Sequence, residues 1–345
     1  MRVARFYAPG DLRLEDMAEP KPGSDEVMLR VSNCSTCGTD VKIFNHGHQH
    51  IDPPRVMGHE VAGEIVAVGA DVDAWSAGDQ VQVIAAVPCG QCYYCTRGTM
   101  AICPNQTSIG YHYDGGFAEY LVVPNAVLRV DGLNRIPEGV SYAEASVAEP
   151  LACVINGQEL ARVGDGDVVV VVGAGPIGCL HVRLARANGA RVFLVELNSA
   201  RLALSAETVH PDAAICSADT DPVQAVLDLT DGRGADVVIT AAASGAAQEQ
   251  ALLMAGRRGR ISLFGGLPKD RPTITLDSNI VHYRELTLVG ANGSSPAHNK
   301  QALAMIASGQ VPVADLITHR LPLERVHDAI DIVARGEAIK VTIEP

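Results

Sequence analysis

The chain has 345 residues, long enough for two domains, because a single core stops growing near ~250 to 300 residues. Hydrophobic residues make up 47%, which excludes a disordered chain, and the formal net charge of -13 argues against nucleic acid and anionic membrane surfaces as partners. The start lacks the apolar stretch of a signal peptide, and no apolar run reaches the ~20 residues that span a bilayer, so a cytoplasmic protein is expected.

In chain order, Val27, Leu29 and Val31 alternate with polar or flexible neighbours as in a half-buried strand, which ends near Cys34-Ser35-Thr36-Cys37. Asn45-His46-Gly47-His48-Gln49-His50 looks like a metal tract, but histidines in a glycine-containing loop are more simply exposed, lining at most a pocket mouth. Gly58-His59-Glu60 then places an imidazole beside a carboxylate on a tight loop entering a strand that starts at Val61. Thiolate and imidazole are ligands that zinc favours, so Cys37 is the first candidate partner for His59, against the plainer reading of Cys34 and Cys37 as buried cysteines.

Cys89, Cys92, Cys95 and Cys103 follow. Four thiolates close a tetrahedral zinc site completely, so this site staples a loop and leaves no position for chemistry. An alanine-rich helical approach from Tyr142 to Ala148 leads to Glu149-Pro150, where proline is expected to keep Glu149 out of a helix.

The second half opens on five valines, Val168 to Val172, as expected of a parallel strand buried on both faces. Gly173, Gly175, Pro176, Ile177 and Gly178 belong to a Gly-x-Gly-x-x-Gly turn between that strand and a helix, the context of a dinucleotide pyrophosphate site. After a second strand, Arg191 to Glu196, the carboxylate of Glu196 suits ribose hydroxyls and repels a 2′-phosphate, favouring NAD over NADP, while Arg201 keeps NADP open. Strands at 213–216, 236–241, 260–264 and 286–290 alternate with helices at 222–230 and 246–255, predicting a doubly wound parallel sheet of the Rossmann type. Arg257-Arg258-Gly259-Arg260 reads as a helix end, 297–308 as a helix, and Lys340 to Ile343 as a strand returning to the first domain.

Together these stretches resemble the zinc-dependent medium-chain alcohol dehydrogenases, most closely the sorbitol and threonine dehydrogenase branch. Gly58-His59-Glu60 with Gly63, Gly69 and Val72 matches the zinc signature, Cys89 to Cys103 the structural-zinc lobe, and Gly173 to Gly178 the cofactor turn. The resemblance implies an α/β protein, with a Rossmann domain (153–289) inserted in a partly β-barrel-like, GroES-like catalytic domain (1–152 and 290–345) that carries a zinc lobe at 88–104. It implies two zinc ions per chain, NAD as cofactor and a homodimer or homotetramer. It places catalytic-zinc ligands at Cys37 and His59, with Glu149 third and Glu60 as a carboxylate able to approach the metal. It also makes Thr39 the hydroxyl that takes the proton from the substrate. The implied reaction moves hydride between a secondary alcohol (polyol, sugar alcohol or cyclitol) and NAD; an amino alcohol is the alternative substrate, and a non-catalytic nucleotide-binding scaffold the alternative of another class.

Two positions depart from the pattern. Lys42 stands where many relatives continue a proton relay with histidine, and Gly290 to Ser295 lacks the pocket arginine of polyol dehydrogenases. Tyr111 is expected near the substrate pocket.

Overall fold

Val168–Val172 is buried at every residue, and it pairs in parallel on both edges, with Arg191–Glu196 and with Ala235–Thr240. In the computed structural model, which describes residues 1–345, this strand is the centre of a six-stranded sheet. The strand order is Ala213–Cys216, Arg191–Glu196, Val168–Val172, Ala235–Thr240, Ala255–Leu263 and Thr287–Gly290, every neighbour parallel. The order reverses beside Val168–Val172, and ligands of such sheets bind beyond the strand C-termini at that point. Phe193, Val195, Val238, Ile261 and Met254 pack around the central valines, each such buried side chain contributing about 1.5–3 kcal/mol. The sheet and its helices form one compact unit, Cys153–Asn292.

The second unit joins Met1–Ala152 to Gly293–Pro345. Its main sheet runs in the order Leu133–Arg135, Gln80–Val83, Glu60–Val68, Val27–Ser35, Lys340–Glu344 and Ile317–Pro322, with Tyr120–Val123 also on Val27–Ser35. The last strand pairs antiparallel with the third of the chain, Thr342 opposite Ser35 and Ile343 opposite Cys34. Residues more than 300 positions apart thus meet beside Cys37. The expected alternation in Val27–Ser35 is incomplete: Met28 is buried as well as Val27 and Leu29, because register irregularities at Met28/Leu29 and Val31/Asn33 turn neighbouring side chains inward.

Two local expectations fail. Glu149 lies inside the helix Ala148–Ala161, because Pro150 falls in its first turn, where a missing N–H costs nothing. Arg257 to Arg260 lies within the strand Ala255–Leu263 and ends no helix. There Arg258 takes φ 59°, and Arg258 and Arg260 are held by Glu285 and Asp167 respectively. No helix is long and apolar enough to cross a membrane.

Candidate active site and metal centres

Cys37 is the N-cap of the helix Gly38–His46, and its N–H donates to Asp40 Oδ2 at 2.8 Å. The Thr39 hydroxyl, in the first turn, lies 3.5 Å from Cys37 Sγ. His59 follows Gly58, whose φ of +92° and tight surroundings admit only glycine: a Cβ there would stand 2.7 Å from Cys34 Sγ and from the Phe117 ring. The loop is thereby pressed onto the core, and Glu60 enters its strand fully buried. As a result the ligand atoms of Cys37, His59 and Glu60 lie within 4.8 Å of one another.

Two residues that sequence reasoning missed organise this group. Asp40 turns Oδ1 toward His59 Nδ1 at 3.5 Å while Oδ2 holds the Cys37 amide, so one carboxylate orients both neighbours, as carboxylates behind metal-bound histidines do. Its signal was an acid three residues after an N-cap. Lys340 is buried, its Nζ paired with Glu60 Oε2 and donating to Thr36 O at 2.8 Å. A lysine opening a strand that carries Val341 and Ile343 could have revealed it.

Burial pushes the Glu60 carboxyl up to about 7, against the pull of Lys340 and with the added push of Glu149. Burial opposes a charged His59 ring, yet Tyr111 and Asp40 more than offset it and hold its pKa well above the usual value. Asp40, Glu60 and Glu149 are buried here together with His59 and Lys340, and Cys37 is partly buried beside them. Apart from their 3.5 Å approach to each other, Asp40 Oδ1 and His59 Nδ1 have no partner, and Glu60 Oε1 has none. Buried donors left without partners are costly alone and are relieved by a bound cation, and the sulfur, nitrogen and oxygen set suits zinc. Glu149 is buried at the start of its helix, and its charge acts on both Glu60 and Tyr111. Lys42 is exposed. Tyr111 does lie against the site, its ring 5.7 Å from that of His59, and burial raises its phenol pKa.

Cys89, Cys92, Cys95 and Cys103 also converge, with Cys92 Sγ 3.5 Å from Cys95 Sγ and 3.8 Å from Cys103 Sγ. Gly90 and Gly98, at φ +75° and +79°, make the turns that bring them together. The Gln91 and Cys92 backbone N–H groups lower the Cys89 thiol to about 6, while burial raises Cys95 to about 12. Four thiols with no other ligand type fit a structural zinc.

In the other unit the glycine turn follows its strand directly, and Gly175 caps the helix Pro176–Ala187 with Pro176 at its start. A Cβ on Gly178 would strike Gly173 O at 1.8 Å, whereas one on Gly175 would meet nothing within 4 Å. Gly178 therefore serves packing, and Gly175 leaves the open cradle at a helix N-terminus that a pyrophosphate fits, beside Ile177. Glu196 accepts the Ala174, Leu197 and Asn198 N–H groups, each at 2.9 Å, with Arg201 at 3.9 Å.

A parallel six-stranded nucleotide fold and a Cys/His/Glu centre with a four-cysteine lobe define a zinc-type dehydrogenase. The chain belongs to the zinc-dependent medium-chain alcohol dehydrogenase family: residues 23–131 match the alcohol dehydrogenase GroES-like domain and residues 176–308 the zinc-binding dehydrogenase domain. It is 31% identical to sorbitol dehydrogenase of Halalkalibacterium halodurans, over 99% of this chain and 98% of that one. It is 34% identical to L-threonine 3-dehydrogenase of Pyrococcus horikoshii, over 95% and 93%. Among solved structures, a zinc-binding dehydrogenase from Sinorhizobium meliloti bound to NADP superposes with a TM-score of 0.92 at 30% identity, covering 100% of this chain and 99% of that one. The chain is therefore an oxidoreductase of the alcohol dehydrogenase type, acting on a small molecule.

Proposed function

We propose that the chain oxidises a secondary alcohol of a polyol, sugar alcohol or cyclitol to the ketone with NAD. The observation that carries this reading is the buried convergence of Cys37, His59 and Glu60. Zinc held there, by Cys37, His59 and a carboxylate from Glu60 or Glu149, supplies polarisation of the substrate oxygen, and NAD accepts the hydride. The chain's own residues do the rest. Asp40 fixes the His59 ring and the Cys37 turn, Lys340 holds the Glu60 carboxylate, and Thr39 takes the hydroxyl proton of the substrate. The carbinol C–H and O–H bonds break, giving ketone, NADH and a proton.

Glu196 supports NAD, since three backbone N–H groups keep a buried anion where a 2′-phosphate would be repelled. Arg201 and the NADP-bound relative support the opposite choice, so the ratio of kcat/KM for the two cofactors is the measurement that decides. The threonine dehydrogenase likeness favours a second reading, an amino-alcohol substrate. NADH formation over a panel of polyols, cyclitols and amino alcohols tests both. Turnover that survives His59→Ala with zinc absent would refute the metal mechanism. Metal analysis excludes a non-catalytic scaffold if it finds two zinc ions per chain, and supports one if only the cysteine lobe is filled. The strand Thr287–Gly290 ends its sheet with one edge unpaired by any strand, which supports a homodimer or homotetramer, to be measured by light scattering.

A further inference from the structure

Tyr111 stands between the protein surface and the buried metal ligands. On one side its ring is tilted against that of His59, with centroids 5.7 Å apart, and on the other it meets the exposed His48 edge-on at 5.0 Å. Next to His48 come His50 and His112, both exposed, their rings stacked at 5.4 Å. The backbone on either side of Tyr111 is clamped onto the loop that carries His59. Gly110 has φ +78°, and a Cβ there would stand 2.9 Å from Gly58 O, while the Gly116 N–H donates to that same oxygen at 2.9 Å. The main chain thus fixes where the ring sits relative to His59.

The phenol hydroxyl has no partner inside the chain. Tyr111 makes ring contacts with His59 and His48 but no hydrogen bond through its side chain. The charged groups that act on the phenol are His59, Asp40, Cys37 and Glu149, so its oxygen faces the metal ligands. Burial raises its pKa, and at neutral pH the group stays an O–H, one donor with lone pairs to spare. Packing alone does not call for that group, because a phenyl ring would make the same contacts with His59 and His48. A half-buried O–H left without an acceptor when a substrate expels water costs about 1–3 kcal/mol, so a substrate that supplies the acceptor is favoured over one that does not.

The reacting oxygen of the substrate is served by zinc and by Thr39. Oxygens on adjacent carbons lie about one hydrogen-bond length apart, so a donor beside His59 that does not bond the reacting oxygen meets the next one along the substrate. We propose that Tyr111 determines specificity by bonding, through its hydroxyl, the hydroxyl on the carbon next to the reacting carbinol, so that the enzyme selects 1,2-diol units over isolated secondary alcohols. This rests on the polyol reading of the reaction.

The test measures kcat/KM for trans-1,2-cyclohexanediol and for cyclohexanol with the zinc-loaded enzyme and with Tyr111→Phe, which keeps the ring. Calorimetric titration of the diol into the enzyme–NADH complex, which cannot oxidise it, reads binding alone, and zinc content is measured for both proteins. The wild type should prefer the diol by about tenfold or more, and Tyr111→Phe should cut that ratio about tenfold, mainly through KM, with a matching loss of diol binding and zinc content unchanged. Equal losses for both alcohols, or an unchanged ratio, would overturn the assignment, since a ring that only supports His59 acts on both alike. If neither alcohol is oxidised but diol binding still weakens in Tyr111→Phe, the polyol reading fails and the Tyr111 contact stands. A diol that neither turns over nor binds overturns both. A preference for 2-aminocyclohexanol that is lost in Tyr111→Phe would put an ammonium group in place of the hydroxyl and overturn the diol.

Discussion

Lys340→Met is the sharpest perturbation, because it removes the only ammonium buried among Asp40, Glu60 and Glu149 while nearly preserving volume. Glu60 is 0% exposed and Lys340 3%, so the carboxylate left behind has no route to water. Breaking a buried pair by removing one partner costs about 3–5 kcal/mol, and the lost bond to Thr36 O lies within that range. Zinc bound beside Glu60 would offset part of the charge stranded in the variant, so the loss should be larger in chelator-treated protein. The assay is urea unfolding of single and double variants, with zinc content measured alongside. Glu60→Gln in the Lys340→Met background should recover a large part of the loss, because it removes the stranded charge. An unchanged unfolding midpoint in Lys340→Met, or a double variant no more stable than the single, would refute the account of Lys340 as the counter-charge to Glu60.

Three further outcomes follow from the same geometry. His181 is fully buried, with Nε2 unpartnered and the Phe264 ring 4.7 Å away, and burial lowers its pKa from 6.5 to about 3. The unfolded chain therefore binds the extra proton between those values, so this histidine costs stability as pH falls from 6.5 toward 3, at most about 1.4 kcal/mol per pH unit; His181→Leu should flatten the acid limb of stability against pH, and parallel limbs would contradict the assignment. Gly175→Ala should fold within about 0.5 kcal/mol of wild type yet lose NAD affinity in a fluorescence titration, whereas Gly178→Ala should destabilise the nucleotide unit itself; equal effects on both properties would defeat the division between cradle and packing. Thr39→Val should lower kcat by about 10²-fold or more with little change in zinc content, while Lys42→Ala keeps most activity, and the reverse ranking would remove Thr39 from proton transfer.

Much of the nucleotide unit was legible because its signals are local. Five valines bury a strand on both sides whatever surrounds them, and a glycine turn between strand and helix has few alternatives. Errors fell where a local rule had two outcomes. Pro150 tolerates either a break before it or a first helical turn around it, and the packing of Ala148–Ala161 selected the second. The run Arg257 to Arg260 has the look of a helix end but lies in the strand Ala255–Leu263, as an irregularity between the pairings of Ala255 with Ala235 and of Arg260 with Val237.

By itself the sequence determined the ligand types and their order: Cys37, His59, the four cysteines and the glycine turn, each a short motif whose chemistry depends on residue identity and spacing. It also contained Asp40, Lys340 and the histidines at 48, 50 and 112, but not their partnerships. Those depend on strand register and loop closure across long separations. Pairing of Thr342 with Ser35 carries Lys340 to Glu60, and the loop through Tyr111 carries His112 to His50. Charge acts through distance in space, so which carboxylate is compensated by Lys340 and which histidines meet were settled only when the chain folded.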